Sequence, residues 1–345
     1  MIEATQRLAA EGGLRLLRPL VIAEDELDFK YRQVVERLPV EYRHVKYSRF
    51  ILWLLRPGTV SKNRNTYFHI RYLKWRGWLR SIPVYLVLVT LCRLRGVRIV
   101  WTLHCVWEHF MPSRRQNALL RQLVSRAADK IIVMHPKVAL HLPPSQRRKV
   151  LTANFGTFRP AVERAALEAT PNHAFTRRFN DWRHQLGIDR PDIVVVSASV
   201  LEANDLFDFL EDNPDLSGLV IGAQLEERSC GPNVLLIRER VYAEVDAILR
   251  GDGIVGYCPN DNVSVPTSIY TFAAYGIPLI GKDVSPVCDI LGDSGVGGVY
   301  NSVDEMRDVY EGIMGDYAGY RARCSALLAK DTWDTSADVH RQVFA

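Results

Sequence analysis

The chain has 345 residues, of which 48% are hydrophobic and 24% are charged, a composition that excludes a disordered or fibrous protein and leaves room for two domains. The net charge of +5 hides an asymmetry: residues 1–190 carry 34 Lys and Arg against 14 Asp and Glu, whereas residues 191–345 carry 10 against 25. A basic half of this kind is suited to nucleic acid, an anionic membrane surface or acidic ligands.

Apolar runs alternate with helical periodicity along the whole chain. In the first half we predict strands over residues 19–23, 42–47, 66–73, 97–104, 130–134 and 148–153, and helices over 50–55, 82–95 and 117–128. In the second half we predict strands over 192–197, 219–222, 233–237, 253–257 and 277–280, with helices between them. Strands and helices in alternation predict an α/β fold with doubly wound parallel sheets, here two Rossmann-like domains facing a cleft.

The boundaries follow from composition. We predict an N-terminal domain over residues 1–160 and a linker over 161–190, where prolines and charges interrupt the apolar pattern. A C-terminal domain is predicted over 191–320, and a helix over 321–345 that packs back on the N-terminal domain. The glycine-rich residues 295–298 are predicted to form a turn.

Cysteine usage and hydropathy indicate the compartment. The six cysteines are scattered, without Cys-x-x-Cys spacing, so we expect no disulfide framework, no metal site and a reducing environment. The N-terminus lacks the apolar core of a signal peptide, and the longest apolar run, residues 82–92, is too short to span a bilayer. These features predict a cytoplasmic protein.

Residues 257–283 combine a polar loop, a short helix and a new strand. Pro266 suits the first turn of the helix, Thr267 and Ser268 place hydroxyls beside its free N–H groups, and Gly276 ends it. Free amides and the helix dipole make such a start an anion site. The alternative is an ordinary turn between a helix and a strand.

Nucleotide-binding fingerprints of the Gly-x-Gly-x-x-Gly and Walker types are missing. A second polar cluster, His104, Glu108 and His109, follows the strand predicted over residues 97–104. Carboxyl ends of parallel strands face the ligand crevice, where a histidine or shielded glutamate can act as a general base. The alternative is a strand-end histidine followed by solvated loop residues.

Two further polar features accompany the predicted strands of this half. His69 and Arg71 interrupt an apolar strand, and pairing with a structural neighbour explains them as well as ligand contact does. Asn154 and Gly156 close the strand predicted over residues 148–153. Gly156 would let a ligand approach the backbone closely, unless this is only a turn.

Residues 62–98 contain nine Lys and Arg and no acid, interleaved with aromatic residues. The pattern suits docking to an anionic bilayer, and the neighbouring apolar helix favours that interpretation. A buried crossover helix with a solvated basic face is an alternative, and stacking on single-stranded nucleic acid is a third.

Two of these stretches resemble one known family. Residues 97–110, VRIVWTLHCVWEHF, are similar to the segment around W-T-x-H-N-x-x-P-H-E of bacterial GT-B glycosyltransferases, including β-mannosyl- and glucuronosyl-transferases of exopolysaccharide and lipid-linked sugar synthesis. Residues 265–280, VPTSIYTFAAYGIPLI, resemble their donor-site helix, and residues 66–73 occupy the place of their x-x-H-x-H-W strand.

The resemblance implies a nucleotide-sugar donor such as GDP-mannose or a UDP-sugar, bound mainly by the C-terminal domain. It implies no separate cofactor or metal, and a glycolipid or saccharide acceptor at the inner face of the cell membrane. His104 and His109 match the family's two histidines. The donor site would comprise Asn154, Gly156, Ser199, Arg238, Tyr257, Val265, Thr267 and Ser268.

The chain also departs from the family pattern. Cys105, Glu108 and Phe110 stand where Asn, Pro and Glu are usual, and Val263 and Thr271 replace the two glutamates of the retaining branch. Residues 197–205 lack the Arg and Lys that commonly neutralise the diphosphate, so Arg238, Arg240 or Lys282 would have to substitute. We therefore expect an inverting, metal-independent hexosyltransferase with His104, Glu108 or His109 as base and no nucleic-acid partner. The alternative is a non-catalytic partner subunit of the same fold.

Overall fold

A computed structural model of the chain describes residues 18–58, 60, 65–73, 78–104, 114–196, 204–222, 230–239, 241–259 and 263–344. The chain divides into two compact units. Unit 1 comprises Met1–Ala153 and Asp334–Ala345, and unit 2 comprises Asn154–Trp333.

Unit 1 contains a parallel sheet of six strands in the order β2-β1-β3-β4-β5-β6. Its strands are β1 (Leu20–Ala23), β2 (Glu41–His44), β3 (Thr66–Ile70), β4 (Arg98–Leu103), β5 (Lys130–Val133) and β6 (Val150–Thr152). Its helices up to residue 153 are α1 (Phe29–Val35), α2 (Tyr47–Leu55), α3 (Trp78–Leu94), α4 (Arg114–Ala127), α5 (Pro136–Ala139) and α6 (Pro144–Arg147). Strands β1 and β3 are buried along their whole length, as expected for parallel strands covered on both faces.

Unit 2 contains a second parallel sheet in the order β12-β11-β10-β7-β8-β9. Its strands are β7 (Ile193–Val196), β8 (Gly218–Ile221), β9 (Val234–Ile237), β10 (Val255–Cys258), β11 (Leu279–Lys282) and β12 (Gly297–Tyr300). The helices are α7 (Arg159–Glu168), α8 (His173–Leu186), α9 (Asn204–Asp212), α10 (Tyr242–Leu249), α11 (Thr267–Ala273), α12 (Val287–Ser294), α13 (Met306–Gly315) and α14 (Tyr317–Lys330). The two sheets confirm the α/β class predicted from the alternating pattern.

Each sheet has one point at which the strand order reverses. In unit 1 the chain adds β2 on one side of β1 and then β3 on the other side. In unit 2 it adds β8 and β9 on one side of β7 and then β10 on the other side. At such a switch point the connections depart in opposite directions, so a crevice opens at the carboxyl ends of β1 and β3, and of β7 and β10.

The linker predicted over residues 161–190 is instead two helices of unit 2. Asn172 caps α8, because its side chain accepts a hydrogen bond from the N–H of Phe175 at 2.9 Å. Phe175 and Trp182 on this helix are buried, and the Trp182 indole donates to the Pro232 carbonyl at 2.9 Å. The prolines and charges of this stretch lie at helix ends and on solvated faces, which concealed the aromatic residues that anchor α8.

The single helix predicted over residues 321–345 is two helices separated by a break at Asp331 and Thr332. The last one, α15 (Trp333–Val343), lies almost entirely in unit 1. There the Phe344 and Tyr67 rings pack edge-on with their centroids 5.3 Å apart. The Asp334 carboxylate forms an ion pair with the Arg37 guanidinium at 2.8 Å. The end of the chain thus completes the unit that contains its beginning.

The turn predicted over residues 295–298 is wrong in its second part. Gly295, at a φ of 65°, ends α12, but Gly297 and Gly298 begin strand β12. A Cβ at Gly297 would press against the carbonyl oxygen of Leu279 on β11, and one at Gly298 against Val309. The glycines are therefore needed for close packing within and above the sheet, which composition alone does not distinguish from a turn.

We expect Gly297→Ala to destabilise the chain by about 1–3 kcal/mol, because the added methyl group meets backbone atoms that cannot rotate away. Gly312→Ala is the matched control, since a Cβ at that exposed position of α13 meets no atom within 4 Å. The control should stabilise the chain by roughly 0.5–1 kcal/mol, as alanine does in a helix interior. Urea unfolding of both variants measures the difference, and equal effects would contradict the packing argument.

Candidate active site

In unit 1 the switch point brings together residues that follow three neighbouring strands. Glu24 to Asp28 follow β1, Arg71 and Tyr72 follow β3, and His104 follows β4. The Asp28 carboxylate begins α1 by accepting the N–H of Tyr31 at 3.0 Å, which carries Lys30 and Tyr31 into the same region.

His104 is held by two tyrosines. Its Nε2 atom lies 2.6 Å from the Tyr31 hydroxyl, and the Tyr31 ring meets the imidazole edge-on with the ring centroids 5.7 Å apart. Tyr72 stacks on the imidazole with the centroids 4.9 Å apart and the planes inclined by 20°. The imidazole therefore has one face and one nitrogen occupied.

Charged groups fix the two tyrosines. The Lys30 ammonium donates to the Tyr72 hydroxyl at 3.0 Å, and that hydroxyl donates to the Asp28 carboxylate at 3.2 Å. The Arg71 guanidinium lies 4.3 Å from the centre of the Tyr31 ring and donates to the Glu26 carbonyl at 2.5 Å. A buried cation over an aromatic face strengthens such packing.

These surroundings favour the neutral form of His69, His104 and His340. Burial, reinforced by the positive charge of Lys30 and by His69 and Arg71, holds the pKa of His104 well below the usual range. Burial also lowers the pKa of His69, and it lowers the pKa of His340 to about 4. Burial raises the pKa of the Tyr31 hydroxyl well above its usual range.

In unit 2 the switch point lies beside the start of α11. Strand β10 ends at Cys258, and its sulfur atom lies 3.7 Å from the Ser268 hydroxyl in the first turn of that helix. Thr267 and Ser268 keep part of their surface exposed. The first N–H groups of a helix are available to an anion at such a place.

One lysine lies across this switch point. Lys282, at the end of β11, forms an ion pair with Asp205 in the first turn of α9 at 2.8 Å. Asp205 also accepts a hydrogen bond from Tyr300 at 3.0 Å, and the Tyr300 hydroxyl lies 2.6 Å from that of Tyr257. Since β10 separates β11 from β7 in the sheet, the pair spans the carboxyl end of β10.

The remaining predicted donor-site residues lie in several places. Tyr257 and Val265 are buried, and the Tyr257 hydroxyl forms a hydrogen bond with the Tyr300 hydroxyl. Arg238 follows β9, at the far edge of the sheet from β10. Ser199, Glu108 and His109 lie outside the described residues, as does Arg240.

Asn154 and Gly156, predicted to border the ligand, contact another segment of unit 2. The Asn154 amide donates to the Thr332 carbonyl at 3.3 Å. A Cβ at Gly156 would lie 2.6 Å from the Trp333 indole, whose N–H donates to the Thr157 carbonyl at 3.0 Å. The close approach that Gly156 permits is therefore made by Trp333, and not by a ligand.

Sequence reasoning missed four residues of these two sites. Lys30, Tyr31 and Tyr72 surround His104, and Asp205 pairs with Lys282. The sequence contains a signal for Tyr31, because Asp28 stands three residues before it, the spacing at which a capping side chain accepts an N–H group of the first helical turn. Within the part of the chain that the structure describes, no group of three or more His, Cys, Asp or Glu residues is placed to hold a metal ion.

Two parallel α/β units, each with polar groups at its switch point, have the two-domain architecture of the GT-B class. No model of a known protein family matches the chain, and no curated protein matches it in sequence.

Solved structures with this architecture do match. HepE (Alr3699) of Anabaena, in complex with UDP-glucose, aligns with a TM-score of 0.57 and 10% identity over 94% of this chain and 98% of that chain. WaaG, a glycosyltransferase involved in lipopolysaccharide biosynthesis, aligns with a TM-score of 0.53 and 10% identity over 94% and 99%. The N-terminal domain of trehalose-6-phosphate phosphatase of Candida albicans aligns with a TM-score of 0.54 and 14% identity over 86% and 75%. The chain therefore has the GT-B fold that the sequence predicted.

The buried histidines make stability depend on pH. A neutral buried histidine takes up a proton when the chain unfolds, so the free energy of unfolding falls as the pH decreases from the ordinary pKa of 6.5 towards about 4, the pKa of His340. Each such histidine contributes up to about 1.4 kcal/mol per pH unit. We expect His340→Gln to lower the slope of the free energy of unfolding against pH by up to about 1.4 kcal/mol per pH unit, as measured by urea unfolding.

The slope for His340→Gln is compared with the slope for the unmodified chain, so a change in absolute stability caused by the substitution does not enter the comparison. Identical slopes for His340→Gln and the unmodified chain would show that His340 is already charged in the folded state.

Proposed function

We propose that the chain is a glycosyltransferase that moves a sugar from a nucleoside diphosphate donor to a hydroxyl of a glycolipid or polysaccharide acceptor. The proposal rests on one observation: His104, at the switch point of unit 1, is oriented by Tyr31 and kept neutral by its lowered pKa. The start of α11 and Lys282 at the switch point of unit 2 supply a place for the diphosphate. The fold shared with HepE in complex with UDP-glucose supports this choice of donor.

His104 is proposed as the general base. Its lowered pKa keeps the imidazole unprotonated, which is the form that accepts a proton, although it also makes the imidazole a weak base. A weak base suffices when the proton leaves late, because an acceptor oxygen already bonded to the anomeric carbon is an oxonium and strongly acidic. We therefore infer that bond formation to the sugar precedes proton transfer to His104.

The leaving diphosphate is proposed to lie at the start of α11. The N–H groups of Thr267 and Ser268 and the ammonium of Lys282 would stabilise its negative charge without a metal ion. Val263 and Thr271 stand where the retaining branch of the family resembled by this chain has glutamates, so we propose direct displacement with inversion at the anomeric carbon.

The acceptor is proposed to lie at the inner face of the cell membrane. Helices α2 and α3 run side by side, since the hydroxyl oxygens of Tyr47 and Tyr85 lie 3.0 Å apart. Arg95, which follows α3, donates to the Leu54 carbonyl on α2 at 2.7 Å. The two helices contain no acidic residue. Their outer faces expose five apolar side chains, namely Leu52, Leu55, Leu86, Val87 and Leu94. Such a surface with neighbouring arginines suits an anionic lipid interface. No helix among the described residues is long and apolar enough to cross a membrane.

A non-catalytic partner subunit of the same fold is the second candidate. The observation that favours it is the Lys282–Asp205 ion pair, because a carboxylate at 2.8 Å already offsets the charge that the diphosphate would need. The two candidates differ in turnover, and the variants below separate them.

We expect His104→Ala to lower the turnover of sugar transfer by roughly 100-fold or more, the usual contribution of a general base, and to leave nucleotide binding intact. His135→Ala is the matched control, because His135 also follows a strand, the adjacent β5, where it caps a short helix. Transfer assays with both variants measure the effect. Unchanged turnover of His104→Ala would remove this residue from the mechanism.

We expect Lys282→Ala to weaken the binding of nucleoside diphosphates roughly 10- to 100-fold, the loss of one hydrogen bond to a charged group. Asp205→Asn should strengthen the binding, because it releases the ammonium group from its carboxylate. Fluorescence titration with labelled nucleotides measures both changes. The control is Lys330→Ala at the exposed end of α14, and if that variant loses as much affinity as Lys282→Ala, then Lys282 has no specific role.

Membrane docking is tested by flotation with anionic vesicles. We expect the double variant Leu52→Glu, Leu55→Glu to bind at least tenfold more weakly, because two apolar anchors become charged. Leu167→Glu is the control, since Leu167 is an exposed leucine in unit 2. Equal flotation of the double variant and the control would place the docking surface elsewhere.

A further inference from the structure

Arg71 is a buried arginine whose side chain is only partly used by the protein. It directly follows β3 in unit 1, and the residue is 1% exposed. Its Nη2 atom donates to the Glu26 carbonyl at 2.5 Å, and the guanidinium lies over the Tyr31 ring. The Nε and Nη1 atoms are buried and have no hydrogen-bond partner among the described residues. The N–H groups of these two atoms, on a side chain that is always charged, are therefore left for another acceptor.

A cation in this state destabilises the folded chain unless an anion meets it, because a buried charge without a counter-charge is costly. The contact with the Tyr31 ring offsets part of that cost but gives Nε and Nη1 no hydrogen-bond acceptor. Residues 24–28 include four acids, yet no carboxylate in the described part of the chain forms an ion pair with Arg71. A buried polar group that lacks a partner indicates a place for a ligand or water.

Arg71 borders the crevice that contains His104. Strand β3 flanks the switch point of unit 1, and Glu26 follows β1 on the other side. Tyr31 connects the cation to the histidine, since its ring lies under the guanidinium and its hydroxyl is 2.6 Å from Nε2 of His104. His104 and Lys30 are partly exposed, so the crevice is open to solvent at these residues. A ligand that brings a hydroxyl to His104 therefore lies close to Arg71.

We propose that Arg71 binds an oxyanion of the acceptor, a carboxylate or a phosphate, while an acceptor hydroxyl lies at His104. The acceptor is then an acidic saccharide or a sugar phosphate, and not a neutral sugar chain. This inference rests on the proposed function for the presence of an acceptor at the switch point of unit 1. It adds the charge of the acceptor and the residue that recognises this charge.

An oxyanion suits Arg71 better than a neutral sugar does. Hydrogen bonds between two charged groups are stronger than those between a cation and a sugar hydroxyl. An anion at Arg71 also breaks no ion pair, in contrast to one at Lys282, whose ammonium is paired with Asp205. An anion reaches the buried guanidinium once a side chain at the edge of the crevice turns outwards, which the partly exposed Lys30 can do on its flexible stem.

The test is ¹⁵N NMR of the arginine Nε–H groups of the intact chain, with the Arg71 signal assigned by its loss in Arg71→Lys. Glucose, glucuronate and glucose 6-phosphate are added in turn at constant ionic strength. We expect the Arg71 signal to shift saturably with at least one of the two acids, because a new acceptor meets the guanidinium. It should stay in place with glucose. The acid that binds more tightly tells whether the recognised group is a carboxylate or a phosphate.

The affinity for that acid is then measured by calorimetry in Lys282→Ala, so that the proposed diphosphate site does not contribute. Adding Arg71→Gln should weaken the binding roughly tenfold or more, the loss of hydrogen bonds to a charged group. Arg32→Gln is the matched control, because it removes the same charge from an exposed position of α1. Equal losses in both variants would show that only the net charge matters and would contradict a site at Arg71.

A second measurement applies even if the Arg71 variants do not fold. In Lys282→Ala the midpoint of thermal unfolding should rise with the acid and not with glucose, because a ligand of the folded state stabilises it. No rise with either acid would contradict the site.

With a donor that is turned over, kcat/KM should be roughly tenfold higher for an acidic acceptor than for a neutral acceptor of the same linkage, and Arg71→Gln should remove this preference. An Arg71 signal that neither acid moves, or that glucose moves equally, would overturn the inference, while transfer to a neutral acceptor would leave the proposed function intact. The NMR result needs no turnover. A shifted Arg71 signal in a chain that transfers no sugar would contradict the proposed function and leave the anion site standing.

Discussion

A parallel sheet can be covered by helices on both faces, but where its strand order reverses, the connections leave in opposite directions and the carboxyl ends of two strands stay open. Both sheets of this chain have one such point, between β1 and β3 and between β7 and β10. Polar residues at and after the strand ends gather near these points: His104 with its tyrosines in unit 1, and Lys282 with Asp205 in unit 2. The proposed chemistry depends on this topological constraint, because it determines where side chains can meet a ligand.

The two sites differ in electrostatic character. In unit 1, burial and cations keep the imidazoles neutral, which favours proton acceptance and disfavours any stored positive charge. In unit 2, the Lys282 ammonium forms an ion pair with the Asp205 carboxylate, and a ligand of higher negative charge could compete for it. A diphosphate carries more charge than Asp205 and can take over the ammonium, so the pair can keep the lysine oriented in the absence of a nucleotide.

Much of the fold was predictable from the sequence because buried parallel strands are continuous apolar runs and helices repeat every 3.6 residues. Strand β12 and helix α8 were not predicted, since glycines in one and charges in the other hide the packing that stabilises them. For the candidate site, the apolar run before His104 was sufficient to predict its position at the carboxyl end of a strand, which is β4. Its partner Tyr31 lies 73 residues earlier, and that contact follows from the strand order, which periodicity does not reveal.

The proposed function requires the switch point of unit 2 to bind a nucleoside diphosphate sugar. Calorimetric titration of the intact chain with UDP-, GDP- and dTDP-sugars, in the presence of a chelator, tests it most directly. We expect saturable binding of at least one of these donors at one site per chain without a divalent metal. Absence of binding by all three would rule out this donor site and favour the non-catalytic partner.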